Sequence, residues 1–91
     1  MLKFEKAPIT AYARHFTTLG GVRVYLMHKA GRGGGHYASI SAIGGIMDVI
    51  AFPEGASFSS QAKLKNALTS AHERGETVVN TLGVGAMLKA A

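Results

Sequence analysis

Along the first half of the chain, apolar and polar positions alternate with a period of two, and the alternation is twice broken by a glycine pair. The two breaks read Thr18-Leu19-Gly20-Gly21-Val22-Arg23-Val24 and Ala42-Ile43-Gly44-Gly45-Ile46-Met47-Asp48. Gly-Gly supplies the positive φ values of a two-residue type I′ or II′ turn without steric cost, so each break predicts a hairpin. The flanking runs are rich in Val, Ile, Tyr, Phe and Thr. They predict four strands, roughly Thr10 to Leu19, Val22 to Lys29, His36 to Ile43 and Ile46 to Phe52. Ala30-Gly31-Arg32-Gly33-Gly34-Gly35 joins the hairpins, and its glycines around Arg32 suggest a mobile basic finger.

After Pro53-Glu54-Gly55 the period changes to 3.6. Ser57 or Ser59 suits a helix N-cap, and Leu64, Ala67, Leu68 and Ala71 follow the i, i+3, i+4, i+7 spacing of a buried stripe. Ser59, Lys63, Asn66 and Ser70 form the opposite, polar face, and Gly75 suits the helix end. Thr77 to Leu82 then favours a fifth strand, followed by the apolar tail Gly83-Val84-Gly85-Ala86-Met87-Leu88. The expected fold is α+β: an antiparallel sheet of four or five strands, built on two Gly-Gly hairpins, with one amphipathic helix packed on one face.

At 91 residues this is a single domain with a modest core, its ends, residues 1–8 and 83–91, being read as loosely ordered or subunit-contacting tails. Should its own domain leave the apolar tail uncovered, a second copy would cover it, which raises a homodimer as one partner. Hydrophobic residues make up 47% of the chain and charged residues 16%, with mean hydropathy +0.17, a globular composition. The charged N-terminus, with Lys3, Glu5 and Lys6, lacks the apolar run of a signal peptide, and no stretch approaches the ~20 apolar residues that span a bilayer. The absence of cysteine fits a reducing compartment, so the expected location is cytoplasmic, without a membrane partner.

The net charge of +5 belongs to the first hairpin and its exit loop. Lys3, Lys6, Arg14, Arg23, Lys29 and Arg32 stand against Glu5 in residues 1–36, while cations and acids balance in the remainder. With Gly20 and Gly21 as turn residues, Phe16 faces Tyr25, Arg14 faces Met27 and Tyr12 faces Lys29. Alternation then gathers Tyr12, Arg14, Phe16, Arg23, Tyr25, Met27 and Lys29 on one side, and Ala13, His15, Thr17, Leu19, Val22, Val24, Leu26 and His28 on the core side. On the second hairpin, Ala38, Ile40, Ala42, Met47, Val49 and Ala51 are expected to meet the helix, with Tyr37, Ser39, Ser41, Asp48 and Phe52 outside. A register slip of one residue would exchange these faces.

Aromatics interleaved with cations suit two kinds of partner. Rings stack on bases and cations neutralise phosphates, as single-stranded nucleic acid requires. Aromatics, Met and Arg are also the residues that concentrate binding energy between proteins. The partner-binding set expected is Tyr12, Arg14, Phe16, Arg23, Tyr25, Lys29 and Arg32. A cross-strand aromatic pair under Arg and Lys stems also stabilises a hairpin with no partner at all.

Catalysis finds little support. His15, His28, His36 and His72 sit in no acid-base motif, and His15-Phe16-Thr17 is a single His-x-Thr where phosphoesterases of that form carry two. His15 and His28 fall on one face, but a third metal ligand is not evident. The glycine loop lacks the Gly-Lys-Ser/Thr ending of a phosphate-binding loop, and Ser57, Ser59 and Ser60 lack the Gly-x-Ser-x-Gly turn of a nucleophile. No catalytic residue, metal site or cofactor is therefore expected. A short, cysteine-free chain without a catalytic motif is similar in general type to small phage- and plasmid-encoded inhibitors, anti-CRISPR proteins among them. That resemblance implies a non-enzymatic binding protein acting on a protein or nucleoprotein complex, the alternative being a protein that binds single-stranded nucleic acid directly.

Overall fold

The computed structural model describes residues 2–7, 13–29, 31, 34–41, 48–81 and 85–90. Four strands, β1 (Glu5–Lys6), β2 (His15–Leu19), β3 (Val22–Lys29) and β4 (Gly35–Ser39), form an antiparallel sheet in chain order. A short β5 (Ile50–Ala51) follows, then helix α1 (Gln61–Glu73), then β6 (Glu76–Thr81) and β7 (Gly85–Ala90). These last strands make a second sheet in the order β5-β7-β6, with β7 antiparallel to β6 and parallel to β5. The molecule is α+β, one helix packed on an antiparallel sheet, with a second small sheet completing the core. None of the described helical residues forms a helix long and apolar enough to cross a membrane.

The first hairpin has the expected register. Leu19 pairs with Val22, Thr18 with Arg23, Thr17 with Val24 and Phe16 with Tyr25. Gly20 and Gly21 both take positive φ, +57° and +84°, as a type I′ turn requires at both central positions. Thr77 Oγ1 donates to the Gly20 carbonyl at 3.0 Å, so the turn is tied to β6. The core side is as expected from Ala13 through Leu26: Thr17, Leu19, Val24 and Leu26 are buried. Thr17 keeps its hydroxyl satisfied there by donating to the Lys3 carbonyl at 2.7 Å, which holds the N-terminal segment over the same face and brings Leu2 into the core.

The cap of helix α1 lies one residue beyond Ser59, the later of the two expected caps. Ser60 is the N-cap, its extended backbone (φ −147°, ψ 159°) letting Oγ accept from the Lys63 N–H at 3.2 Å, in place of Ser57 or Ser59. Leu64, Ala67, Leu68 and Ala71 are buried as their spacing demands, while Lys63, Asn66 and Ser70 are exposed. Gly75 follows the C-terminus at φ +72°. The stripe packs against β4 and β6, joining Ile50, Phe52, Val78 and Ala86 in one core.

The second hairpin departs from expectation. Its turn residues Gly44 and Gly45 lie outside the described residues, but its flanks pair Ser39 with Val49, and the Ile40 N–H donates to the Asp48 carbonyl at 3.0 Å. A turn centred on Gly44-Gly45 would have paired Ser39 with Ile50, so the register is displaced by one residue and the faces exchange. Ile50 and Phe52 are buried and Ala51 is exposed. Phe52 thus leaves the open face and stands edge-on to Phe58, ring centroids 5.6 Å apart. Instead of extending the first sheet, β5 pairs with β7. The edge of β4 is met by Phe58, which exchanges two backbone hydrogen bonds of 2.8 Å with His36.

The apolar tail becomes β7, the middle strand of the second sheet. Among its described residues, Gly85 and Ala86 are buried within the chain and Leu88 is half-buried against the core. Met87 is the large hydrophobic side chain left exposed among the described residues.

Candidate partner-binding surface

The paired strands β1 to β4 carry the outer face in rows. One row runs Glu5, Phe16, Tyr25, Ser39, and directly paired residues share a face. Exposure falls along it: Glu5 is exposed, Phe16 and Tyr25 are half-buried and Ser39 is fully buried. The next row pairs Met27 with Tyr37, and Met27, expected in the open, is 4% exposed. The row on the turn side pairs Thr18 with Arg23, both exposed. The aromatic surface is therefore narrower than the alternation implies, bounded towards β4 and open towards the turn and β1.

Within that surface the geometry is defined. The rings of Phe16 and Tyr25 are tilted by 49° with centroids 6.1 Å apart, inside the range of favourable aromatic pairs. The Arg23 guanidinium lies 4.4 Å from the Phe16 ring centroid, a cation–π contact. Glu5, opposite Phe16, adds an acid to the same face.

The other expected members separate from this group. Lys29 is exposed at the far end of β3, six residues and about 20 Å along the strand from Arg23. Arg14 lies in a bend before β2, whose ladder with β3 ends at the His15–Leu26 pair, and Thr10 to Tyr12 lie outside the described residues. The Arg14 carbonyl accepts from the Ala7 N–H at 2.9 Å, and the residue lines a cleft at the start of α1. Tyr12 and Arg32 also lie outside the described residues. The expected finger at Arg32 lies outside the described residues with it; of its neighbours, the Gly34 N–H donates to the Gly31 carbonyl at 3.0 Å.

The histidines regroup. His28 is exposed and stacks on His36, centroids 4.4 Å apart and planes 27° apart, because β3 and β4 pair them across the glycine loop. His15, which the alternation placed beside His28, meets the Gln61 amide instead, with Nε2 donating to Nδ1 at 3.3 Å. Among the described residues, no group of three or more His, Asp or Glu side chains is placed to hold a metal. The stacked pair follows from the pairing of β3 with β4, in which Lys29 meets Gly35 and His28 meets His36, a register that no two-residue turn signal marks in the sequence. No protein-family model, curated protein or solved structure matches the chain.

Proposed function

We propose that this chain is a non-enzymatic docking protein that binds a protein surface, alone or within a nucleoprotein complex, through Phe16, Arg23 and Tyr25. The observation that carries the reading is the position of Arg23 over Phe16. A base stacking on an RNA- or DNA-binding sheet needs an open ring face and cations spaced along its backbone. Here the Phe16 face is already covered by a guanidinium, an acid stands opposite, Arg14 lines the cleft at the start of α1, and Lys29 lies at the far end of β3. A preformed cluster of two half-buried rings with an arginine held over one of them is what protein anchor sites use, since less side-chain freedom is left to lose on binding.

The role that fits such a module is an inhibitor or adaptor occupying the surface of a larger machine inside the cell, where a chain without cysteine needs no oxidising environment. Direct binding of single-stranded nucleic acid is the alternative, and salt separates the two. Phosphate contacts weaken log-linearly with added salt, while an aromatic anchor responds much less. The test is affinity capture from the native host with the wild type and with the Phe16→Ala/Arg23→Ala double variant, before and after nuclease treatment. Capture that survives nuclease and falls at least about thirtyfold in the double variant supports the reading. Capture that nuclease abolishes, or a double variant that binds as well as wild type, overturns it.

A further inference from the structure

The inner face of the first sheet extends past the cover of α1. Leu26 is 4% exposed, whereas His28, the next residue on that side, is exposed. The described residues Arg14, Leu26, Met27, His28, His36 and Gln61 line a cleft of about 450 Å³ there. That volume lies within the roughly 300–1,000 Å³ of small-molecule sites, and far exceeds what a simple inorganic ion needs.

The chemistry of the lining is one-sided. Arg14 brings a guanidinium that has neither an ion pair nor a side-chain hydrogen bond among the described residues. His28 and His36 bring two imidazoles, and no carboxylate is among the described lining residues. Gln61 is held in place by its bond to His15. It is also the first residue of α1, whose first turn carries no acid, so the positive end of a 13-residue helix adds to the local potential. The floor is different in kind: Leu26 is apolar, Met27 borders the cleft from β3 with its side chain on the other face, and the stacked His28–His36 pair presents a planar surface on its exposed side.

We propose that this cleft binds a phosphate monoester bearing a planar ring, the chemistry of a mononucleotide, with the phosphate on Arg14 and the ring continuing the imidazole stack. A tetrahedral phosphate offers three oxygens to a guanidinium fork and neighbouring N–H groups, where a carboxylate offers two in one plane. The site is separate from the Phe16–Arg23–Tyr25 surface, and neither requires the other.

AMP is the probe, followed by NMR on the ring C–H signals of His28 and His36, with adenosine and inorganic phosphate titrated separately. The expected result is saturable movement of both ring signals by AMP, with each half-ligand binding at least about tenfold more weakly. Arg14 is exposed, so Arg14→Gln leaves the amide spectrum folded, weakens AMP by about tenfold and leaves adenosine unchanged. The Phe16→Ala/Arg23→Ala variant binds AMP as wild type does, which separates failure here from failure of the docking surface. Histidine ring signals that do not move at millimolar AMP, adenosine that binds as well as AMP, or Arg14→Gln with unchanged affinity would each overturn the proposal.

Discussion

Gly20 is constrained by its backbone and by its neighbour at once. Its φ of +57° disfavours any L side chain, and a Cβ built there would run into the Cβ and Oγ1 of Thr77 on β6. Gly21 shares the positive φ, at +84°, but has open space where a Cβ would stand. Alanine at Gly21 should therefore cost only the left-handed backbone penalty, about 1 kcal/mol, while alanine at Gly20 should cost at least ~2 kcal/mol because the turn must also leave β6. Thermal unfolding of the two variants measures the difference, about 4–8 °C in Tm for each kcal/mol in a domain of this size. Equal losses would mean that the Thr77 contact contributes nothing. At this scale the Phe16–Tyr25 pair and the Arg23 contact were legible in the chain, since Gly-Gly sets the register of a two-residue turn. The burial of Met27 was not, because alternation assigns a face and does not say what lies over it.

The displaced register between β4 and the chain leading to β5 belongs to the element scale. Its consequence is that Phe52 supports the core and Ala51 faces water. Phe52→Ala should destabilise by about 3–5 kcal/mol through the cavity left against Phe58, whereas Ala51→Ser should stay within about 0.5 kcal/mol. Chemical denaturation of both variants checks this, and the reverse order of sensitivity would restore the register expected from Gly44-Gly45. The helix shows the opposite case. Its stripe of Leu64, Ala67, Leu68 and Ala71 was fully legible because a 3.6-residue period is a property of the segment alone, and only its cap moved, to Ser60.

For the whole molecule, the decisive arrangement is β7 lying between β5 and β6. It is the last described strand, yet it links the segment before α1 to the segment after it, through Ile50↔Ala86 and Val79↔Met87 among other pairs. Truncation before Gly85 should remove the second sheet's middle strand, uncover Ile50 and Val78, and abolish the cooperative unfolding transition. Circular dichroism against temperature reads this directly. A truncated chain that still melts cooperatively near the wild-type temperature would show that the second sheet is dispensable to the core. A chain of 91 residues has little burial to spare, which is why the loss of one central strand is expected to be global.

Local chemistry alone determined the first hairpin, the helix and its buried stripe, the glycine at the helix end and the concentration of positive charge before residue 37. Each depends on residues close in sequence, through backbone sterics, periodicity or counting. Tertiary structure decided the rest: that β5 leaves the first sheet for β7, that Phe52 turns inward, that His28 meets His36 while His15 meets Gln61, and that Arg14 lines a cleft with both His28 and Gln61. These outcomes compare pairings between distant segments. A single residue of register, or the choice of neighbour for a two-residue strand, depends on how the apolar surface of the whole chain is best covered, and no local pattern carries that information.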